Sequence, residues 1–329
     1  GMAANADDPV PTTSSAADLV GPAGPAGSSG PVVVTGANGL VGRRVCEVLA
    51  GRGVTVRAVV RRPGSAPSVP GVLEWVGDFH DLEVAAAVSD GASAVVTTVH
   101  PMGSDLETQR RIGVDGTSVL AHAARDAGVE RLVHVSTAAV YDRSPGAGDV
   151  DEDAALVDDD GGDYPVTKRD TDAALAGVGG LTTVLLRPPA ILGPGASSVW
   201  NSLRPAAMRD HEGARHTPPD GSFAWVHVDD LAVLAADVAT GAIATAGDAS
   251  RGPVAGRATA VNVAGAPATQ RNYYETVCGA VGVEPVWEDG PAWTGQIQTR
   301  RARAWGWTPQ VDLATALAEL EAGLREQSS

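Results

Sequence analysis

The chain has 329 residues, of which 43% are hydrophobic and 4% aromatic, and its formal net charge is −16. That length accommodates one large α/β domain with a smaller lobe, and Ala, Val and Leu must fill most of the core. A field of this sign repels nucleic acid and anionic membranes. No run of about 18 apolar residues appears, and no basic-then-apolar start resembles a signal peptide. A cytoplasmic protein with neither nucleic-acid nor membrane partners is expected. Cys46 and Cys278 lie far apart in sequence and read as reduced core thiols.

In chain order, residues 1–30 are rich in Pro, Gly, Ala and Ser without apolar period, which predicts a disordered leader. The β-branched run Val32–Val34 predicts a first strand, followed by a Gly-rich turn and a helix from about Leu40 to Ala50. Val54–Val60, Val72–Val76, Ser93–Val99 and Arg131–Ser136 read as further strands, with helices near Leu82–Val88 and over Leu106–Ala127. A helix starts near Tyr164, and Leu181–Arg187 forms the next strand. Strands alternating with helices predict a Rossmann-type, doubly wound parallel sheet over residues 31–192. Trp225–Val228 and Ala260–Val263 read as late strands returning to that sheet. Residues 193–222 and 264–329, with helices at Tyr273–Val281 and Leu313–Leu324, form the expected substrate lobe. The segment Asp149–Asp163 carries eight acids and reads as a solvated loop.

The turn Thr35-Gly36-Ala37-Asn38-Gly39-Leu40-Val41-Gly42 follows a strand and opens a helix. Small residues let the backbone turn sharply and let a pyrophosphate reach the free amides of a helix N-terminus. Six arginines stand between positions 43 and 62, against the single acid Glu47. Arg44 and Arg52 read as solvated surface residues. The second strand ends in Arg61-Arg62-Pro63, where an NAD site usually carries an acid. Two guanidiniums there suit a 2′-phosphate, which favours NADP(H), with NAD(H) as the alternative.

Tyr164-Pro165-Val166-Thr167-Lys168 places a phenol and an ammonium on one helical face. The cation favours the phenolate, so the tyrosine pKa is expected to fall and the phenol to serve as an acid/base. The strand Val133-His134-Val135 runs into Ser136-Thr137, whose hydroxyls reach the sheet edge where a carbonyl oxygen would bind. His211 and His216 flank Glu212 in a loop and His227 belongs to a strand motif, so no metal is expected.

Taken together, these motifs resemble the extended short-chain dehydrogenase/reductase family, over about Pro31 to Pro309. The ordered matches also include Gly77-Asp78, Val114-Asp115-Gly116-Thr117, Arg187-Pro188-Pro189-Ala190-Ile191, Val226-His227-Val228-Asp229-Asp230 and Gly306-Trp307-Thr308-Pro309. The resemblance implies Tyr164 as acid/base, Lys168 holding the nicotinamide ribose, and Thr137 orienting the carbonyl. It implies that the cofactor runs along Gly36, Asn38, Gly39, Leu40 and Val41, with Asp78 and Phe79 at the adenine. Thr97, Thr98, Val99 and Ser136 would follow, with Pro188, Ala190 and Ile191 bordering the nicotinamide. His100, Thr137, Tyr164, Trp200 and Trp225 would form the substrate pocket, and Trp287 and Trp293 are further candidates to line it. A homodimer is a further implication of the resemblance.

Two departures stand out. The family often has Asn just before Val114, in a proton relay, where this chain has Gly113, so the relay would need another group such as a water. Sugar-nucleotide members carry a diphosphate-binding arginine where this chain aligns Phe223, which argues for a less charged substrate. The first reading is an NADP(H)-dependent reductase or dehydrogenase acting on a small-molecule ketone, aldehyde or alcohol. The alternatives are an NAD-dependent nucleotide-sugar epimerase/dehydratase and a non-catalytic NADP(H)-binding regulator.

Overall fold

The computed structural model describes residues 30–328, so the expected leader lies, but for Gly30, outside the described residues. The chain begins β1 (Val32–Thr35), α1 (Leu40–Gly51), β2 (Val56–Val60), β3 (Val72–Val76), α2 (Leu82–Ser89), β4 (Ala94–Thr97) and α3 (Leu106–Thr108). It continues with α4 (Thr117–Asp126), β5 (Arg131–Val135), α5 (Asp163–Ala176), β6 (Thr182–Arg187), β7 (Ala190–Leu192), α6 (Arg204–Asp210), β8 (His216–Thr217) and β9 (Trp225–His227). The last elements are α7 (Val228–Ala239), β10 (Ala258–Asn262), α8 (Gln270–Val281), β11 (Val286–Trp287), α9 (Arg300–Ala304) and α10 (Leu313–Ser328).

Seven strands form one parallel sheet in the order β10-β6-β5-β4-β1-β2-β3. The chain order reverses between β1 and β4, which opens a crevice beyond their C-terminal ends. The two faces follow the period of two in each strand. Val32, Val34, Val56 and Ala58 face α1 and α7, whereas Val33, Val95, Leu132 and Leu185 face α2, α4 and α5. Each fully buried Val or Leu contributes roughly 1.5–3 kcal/mol. Asp81 caps α2 through the amides of Glu83 and Val84, a contribution of about 1 kcal/mol.

Several expectations are corrected. Trp225–Val228 does not return to the main sheet: β9 pairs with β7 as a separate ribbon, while β10 does join β6. The polypeptide turns straight from β9 into α7, capped by His227 Nδ1, which accepts from the Asp229 amide. Arg44 and Arg52 are not free surface residues. They reach Asp229 and Asp237 at 2.6 Å and pin α1 to α7. The helix expected over Leu106–Ala127 carries a π-helical stretch at Gln109–Gly116. The acidic loop is tied down at its start, where Val150 pairs with Ile297 and Glu152 accepts from the Asn262 amide at 2.8 Å. His216, expected in a loop, lies in β8 and bonds Glu288 at 2.7 Å. Both cysteines are free and buried.

A separate apolar cluster joins β7 and β9 to α6, α8 and α10. Two of the sequence motifs meet beside it: Asp230 accepts from the amides of Gln310 and Val311, and Trp307 donates to the Asp230 carbonyl at 3.0 Å. These bonds fix the C-terminal segment against α7.

Candidate active site

Two cavities of about 530 and 580 Å³ meet at Gly36, Asn38 and Val99, along the C-terminal edge of the sheet. The glycines are needed sterically. Gly36 has φ +62°, and a Cβ there would lie 2.5 Å from Thr98 Oγ1. A Cβ on Gly42 would lie 2.1 Å from the Gly36 carbonyl, so α1 can approach the turn only without one. Thr98 stitches the turn to β4, its hydroxyl donating to the Thr35 carbonyl at 2.7 Å. The first turn of α1 has neither a side-chain cap nor an acid. Its amides and dipole are therefore available to an anion, and this cradle fits a dinucleotide pyrophosphate.

The first cavity is lined by Arg61, Arg62, Phe79 and His80. Arg61 is 80% exposed and lies 3.6 Å from Asp78. Asp78 itself does not line the cavity, whereas the next two residues, Phe79 and His80, do. Leu40, Val41, Ser136, Pro188, Ala190 and Ile191 line the second cavity. Thr97 does not line either cavity: its hydroxyl is buried in the sheet, 2.7 Å from His134 Nδ1. Strand alternation turns it inward while its neighbour Thr98 faces the cleft.

At the far end of the second cavity stand Thr137, Tyr164 and His100. Gly162, at φ +101°, delivers the chain into α5, so that Tyr164 and Lys168 fall one turn apart. The Thr137 hydroxyl lies beside the phenol and favours its anion, but burial prevails and the Tyr164 pKa is raised. This corrects the expected fall. Lys168, expected at the nicotinamide ribose, is buried and lines neither cavity, its Nζ donating to the Val135 carbonyl at 2.9 Å. Burial brings the Lys168 pKa down to about 8, with Asp172 opposing.

Asp172 is one further turn along α5, completing an i, i+4 ladder with Tyr164 and Lys168 that the sequence reading missed. Burial raises its pKa, against Arg187, Ser136 and Lys168. Arg187 Nε bonds it at 3.1 Å, and His134 Nε2 lies 3.8 Å away. Arg187 also donates to the Tyr141 hydroxyl, which in turn donates to Asn262 at 2.6 Å. Removing one partner of such a buried pair leaves an uncompensated charge, at about 3–5 kcal/mol.

Gly113 has a direct steric explanation. A Cβ there would lie 2.6 Å from His100 Nδ1 and 2.7 Å from Cε1. The imidazole takes the space beside Gly113. His100 Nε2 lies within hydrogen-bond reach of Gln109 and Thr167, at 3.2 and 3.1 Å. Its ring meets Tyr164 edge to face at 5.3 Å. Burial, then the Lys168 charge, brings its pKa down to about 4, so it is neutral near pH 7. Gly116 admits the second cleft histidine likewise, because a Cβ there would lie 2.6 Å from His80 Cβ.

Trp200 lines the cavity, and its ring packs on Phe223 and Tyr273 at 5.5 and 5.6 Å. Trp225 does not line it. It is buried in the core, donates to the Ala266 carbonyl at 2.7 Å and packs flat on Gly265. Trp287 instead stacks under Arg271, and Trp293 under Arg143. Met102, in the loop His100-Pro101-Met102-Gly103 that the sequence places beside the pocket, lines it as expected; sequence reasoning missed Arg143 and Ser197–Val199, which complete the wall. No local pattern signals them, since where each lies depends on packing between distant segments.

Residues 32–243 match the model of the NAD dependent epimerase/dehydratase family. The chain is 32% identical over 194 residues to the 3 beta-hydroxysteroid dehydrogenase/Delta 5-->4-isomerase of Mycobacterium tuberculosis, covering 55% of this chain and 52% of that protein. It is 34% identical over 167 residues to the 4-hydroxy-2-methyl-3-oxo-4-farnesyl-3,4-dihydroquinoline-1-oxide ketoreductase of Stigmatella aurantiaca, covering 49% and 50% respectively. The chain thus spans about half the length of these curated relatives. The fold resembles that of the Bordetella bronchiseptica enzyme WbmG in complex with NAD, with a TM-score of 0.69 over 91% of this chain and 97% of that one, at 20% identity. With its glycine cradle, its switch-point cleft and a match covering most of the described residues, the chain belongs to the NAD dependent epimerase/dehydratase family, of the extended short-chain dehydrogenase/reductase type.

Proposed function

We propose that this chain is an NADP(H)-dependent reductase or dehydrogenase that interconverts a small-molecule ketone or aldehyde with its alcohol. The observation that carries this reading is the convergence of Thr137 and Tyr164 on one cavity wall that continues into the glycine cradle. The nicotinamide, when bound, supplies or accepts the hydride. Thr137 donates a hydrogen bond to the substrate oxygen. Tyr164 gives that oxygen its proton in reduction and takes it back in oxidation. Lys168, one turn along the same helix, supplies a positive charge that favours the tyrosinate left after proton transfer.

Arg61 and Arg62, at the open rim of the first cavity, support NADP(H) over NAD(H), because a 2′-phosphate there would meet two guanidiniums. Phe223 supports a substrate without a nucleotide diphosphate: it is buried and stacked on Tyr273 at 4.5 Å. The ketoreductase name of the Stigmatella relative points the same way. In this reading residues 193–222 and 264–329 select the substrate, and the enzyme works in the cytoplasm.

The test is a cofactor-oxidation screen with NADPH and NADH against ketones, aldehydes and sugar nucleotides. NADPH turnover with a carbonyl is the expected result. Conversion of a sugar nucleotide on tightly retained NAD, with no NADPH turnover, would overturn it. Full activity in Tyr164→Phe would also sink the proposed mechanism.

A further inference from the structure

Many guanidiniums in this acidic chain have a partner: the half-buried Arg57 and Arg131 donate to backbone carbonyls, and others meet carboxylates. Arg44, Arg52, Arg110, Arg169 and Arg187 all lie within 3.1 Å of an aspartate. Arg143 differs. It lines the same cavity as Thr137 and Tyr164. Among the described residues it has no ion pair and no hydrogen bond, and its contact is the Trp293 ring, at 5.4 Å. The acid beside it in sequence, Asp142, is turned away to the amide and hydroxyl of Ser144, at 3.0 and 2.7 Å.

The position is built rather than incidental. Two residues earlier Tyr141 is 1% exposed and bonded to both Arg187 and Asn262, so the backbone leading to Arg143 is fixed. From the other side Trp293 is held by its bond to the Gly148 carbonyl at 2.7 Å. Met102, Ala139, Val199 and Trp200 make the neighbouring wall apolar. Burial lowers the Arg143 pKa with no acid offsetting it, yet a guanidinium stays charged at any working pH. A partly desolvated, unpaired cation is costly unless something pairs with it.

We infer that Arg143 is the anion-reading residue of the substrate end of this cleft, and that the substrate carries a carboxylate or a phosphate on an otherwise apolar body. The planar guanidinium offers two parallel N–H bonds to either group. This rests on the reductase reading for the direction of the cleft, in which cofactor fills the glycine end and substrate the Arg143 end.

The test is calorimetric binding to the full chain saturated with NADP⁺. The probes share one methyl ketone and differ in the far group: 5-oxohexanoate, 4-oxopentyl phosphate and the neutral methyl 5-oxohexanoate. Wild type is expected to bind at least one anion about tenfold or more tightly than the ester. Arg143→Gln should abolish that preference and Arg143→Lys should keep part of it. The better anion distinguishes carboxylate from phosphate. Should the glutamine variant not fold, chloride competition on wild type decides, since the preference must then shrink with salt. Failure of wild type to bind either anion, equal binding of the ester, or a preference that survives Arg143→Gln would overturn the inference. So would loss of NADP⁺ affinity in the variant, which would give Arg143 to the cofactor. Arg143-dependent anion binding, with no carbonyl reduced when NADPH replaces NADP⁺ across the screen above, would instead sink the reductase reading and leave this one standing.

Discussion

The two halves of the cleft are built differently. The cofactor half is made mainly by the ends of four adjacent strands and one glycine turn, between Gly36 and Val99, with Pro101 and Ile112 added from beyond β4. Once the register of a parallel sheet is set, each side chain there has one direction available. The substrate half draws Met102, Arg143, Tyr164 and Trp200 from four separate segments. Its shape depends on how loops lie across the C-terminal cluster. The comparison teaches that the first half tolerates little backbone change, whereas the second is free to vary in side chains.

The largest expected effect tests where the two halves join. Tyr164→Phe should lower kcat about 10²–10⁴-fold while dinucleotide binding, read by fluorescence titration, persists. Loss of both together would mean that the halves are not separable.

Gly113→Ala comes next. Its methyl must displace the His100 ring, so kcat/KM should fall about tenfold or more. In the double variant with His100→Ala the clash is gone, and the two effects should be non-additive by roughly 1 kcal/mol. Steady-state kinetics on all four proteins of the cycle measures this. Additive losses would show that the ring and the glycine act independently.

On the cofactor side, Arg61→Ala and Arg62→Ala should each shift the NADPH-to-NADH ratio of kcat/KM about tenfold towards NADH, the size of a charge-assisted bond of about 1.5–3 kcal/mol reduced by exposure. An unchanged ratio would remove the argument for NADP(H).

A subtler signal comes from Lys168. Its folded pKa, about 8, lies below the ordinary lysine value of about 10.4. Between those values the unfolded chain holds the extra proton, so this group's contribution to stability rises with pH across that window and is flat below it. Thermal melts of ligand-free wild type and Lys168→Met should therefore converge as pH rises from about 8 to about 10.5. Parallel melting curves would show that Lys168 is not desolvated.

The smallest effect lies outside the cleft. Arg44→Ala should cost at most about 1 kcal/mol in urea unfolding, because both partners of its ion pair are more than a third exposed.

Much of this molecule was legible in the chain itself. The β-branched runs and their spacing implied a parallel sheet. The glycine turn followed from what a pyrophosphate requires, and the Tyr164–Lys168 spacing placed both residues on one helical face. These features are local: φ, the period of a strand and the period of a helix determine them.

What tertiary packing decided is the rest. Trp225 and Trp200 have the same chemistry, yet one is sealed against Gly265 and the other faces the cleft. Arg44 and Arg52 became clamps only because α7 runs alongside α1. Gly113 looked like a lost relay residue until His100 was found in the space it leaves. Direction and partner depend on contacts between segments far apart in sequence, and no local periodicity records them.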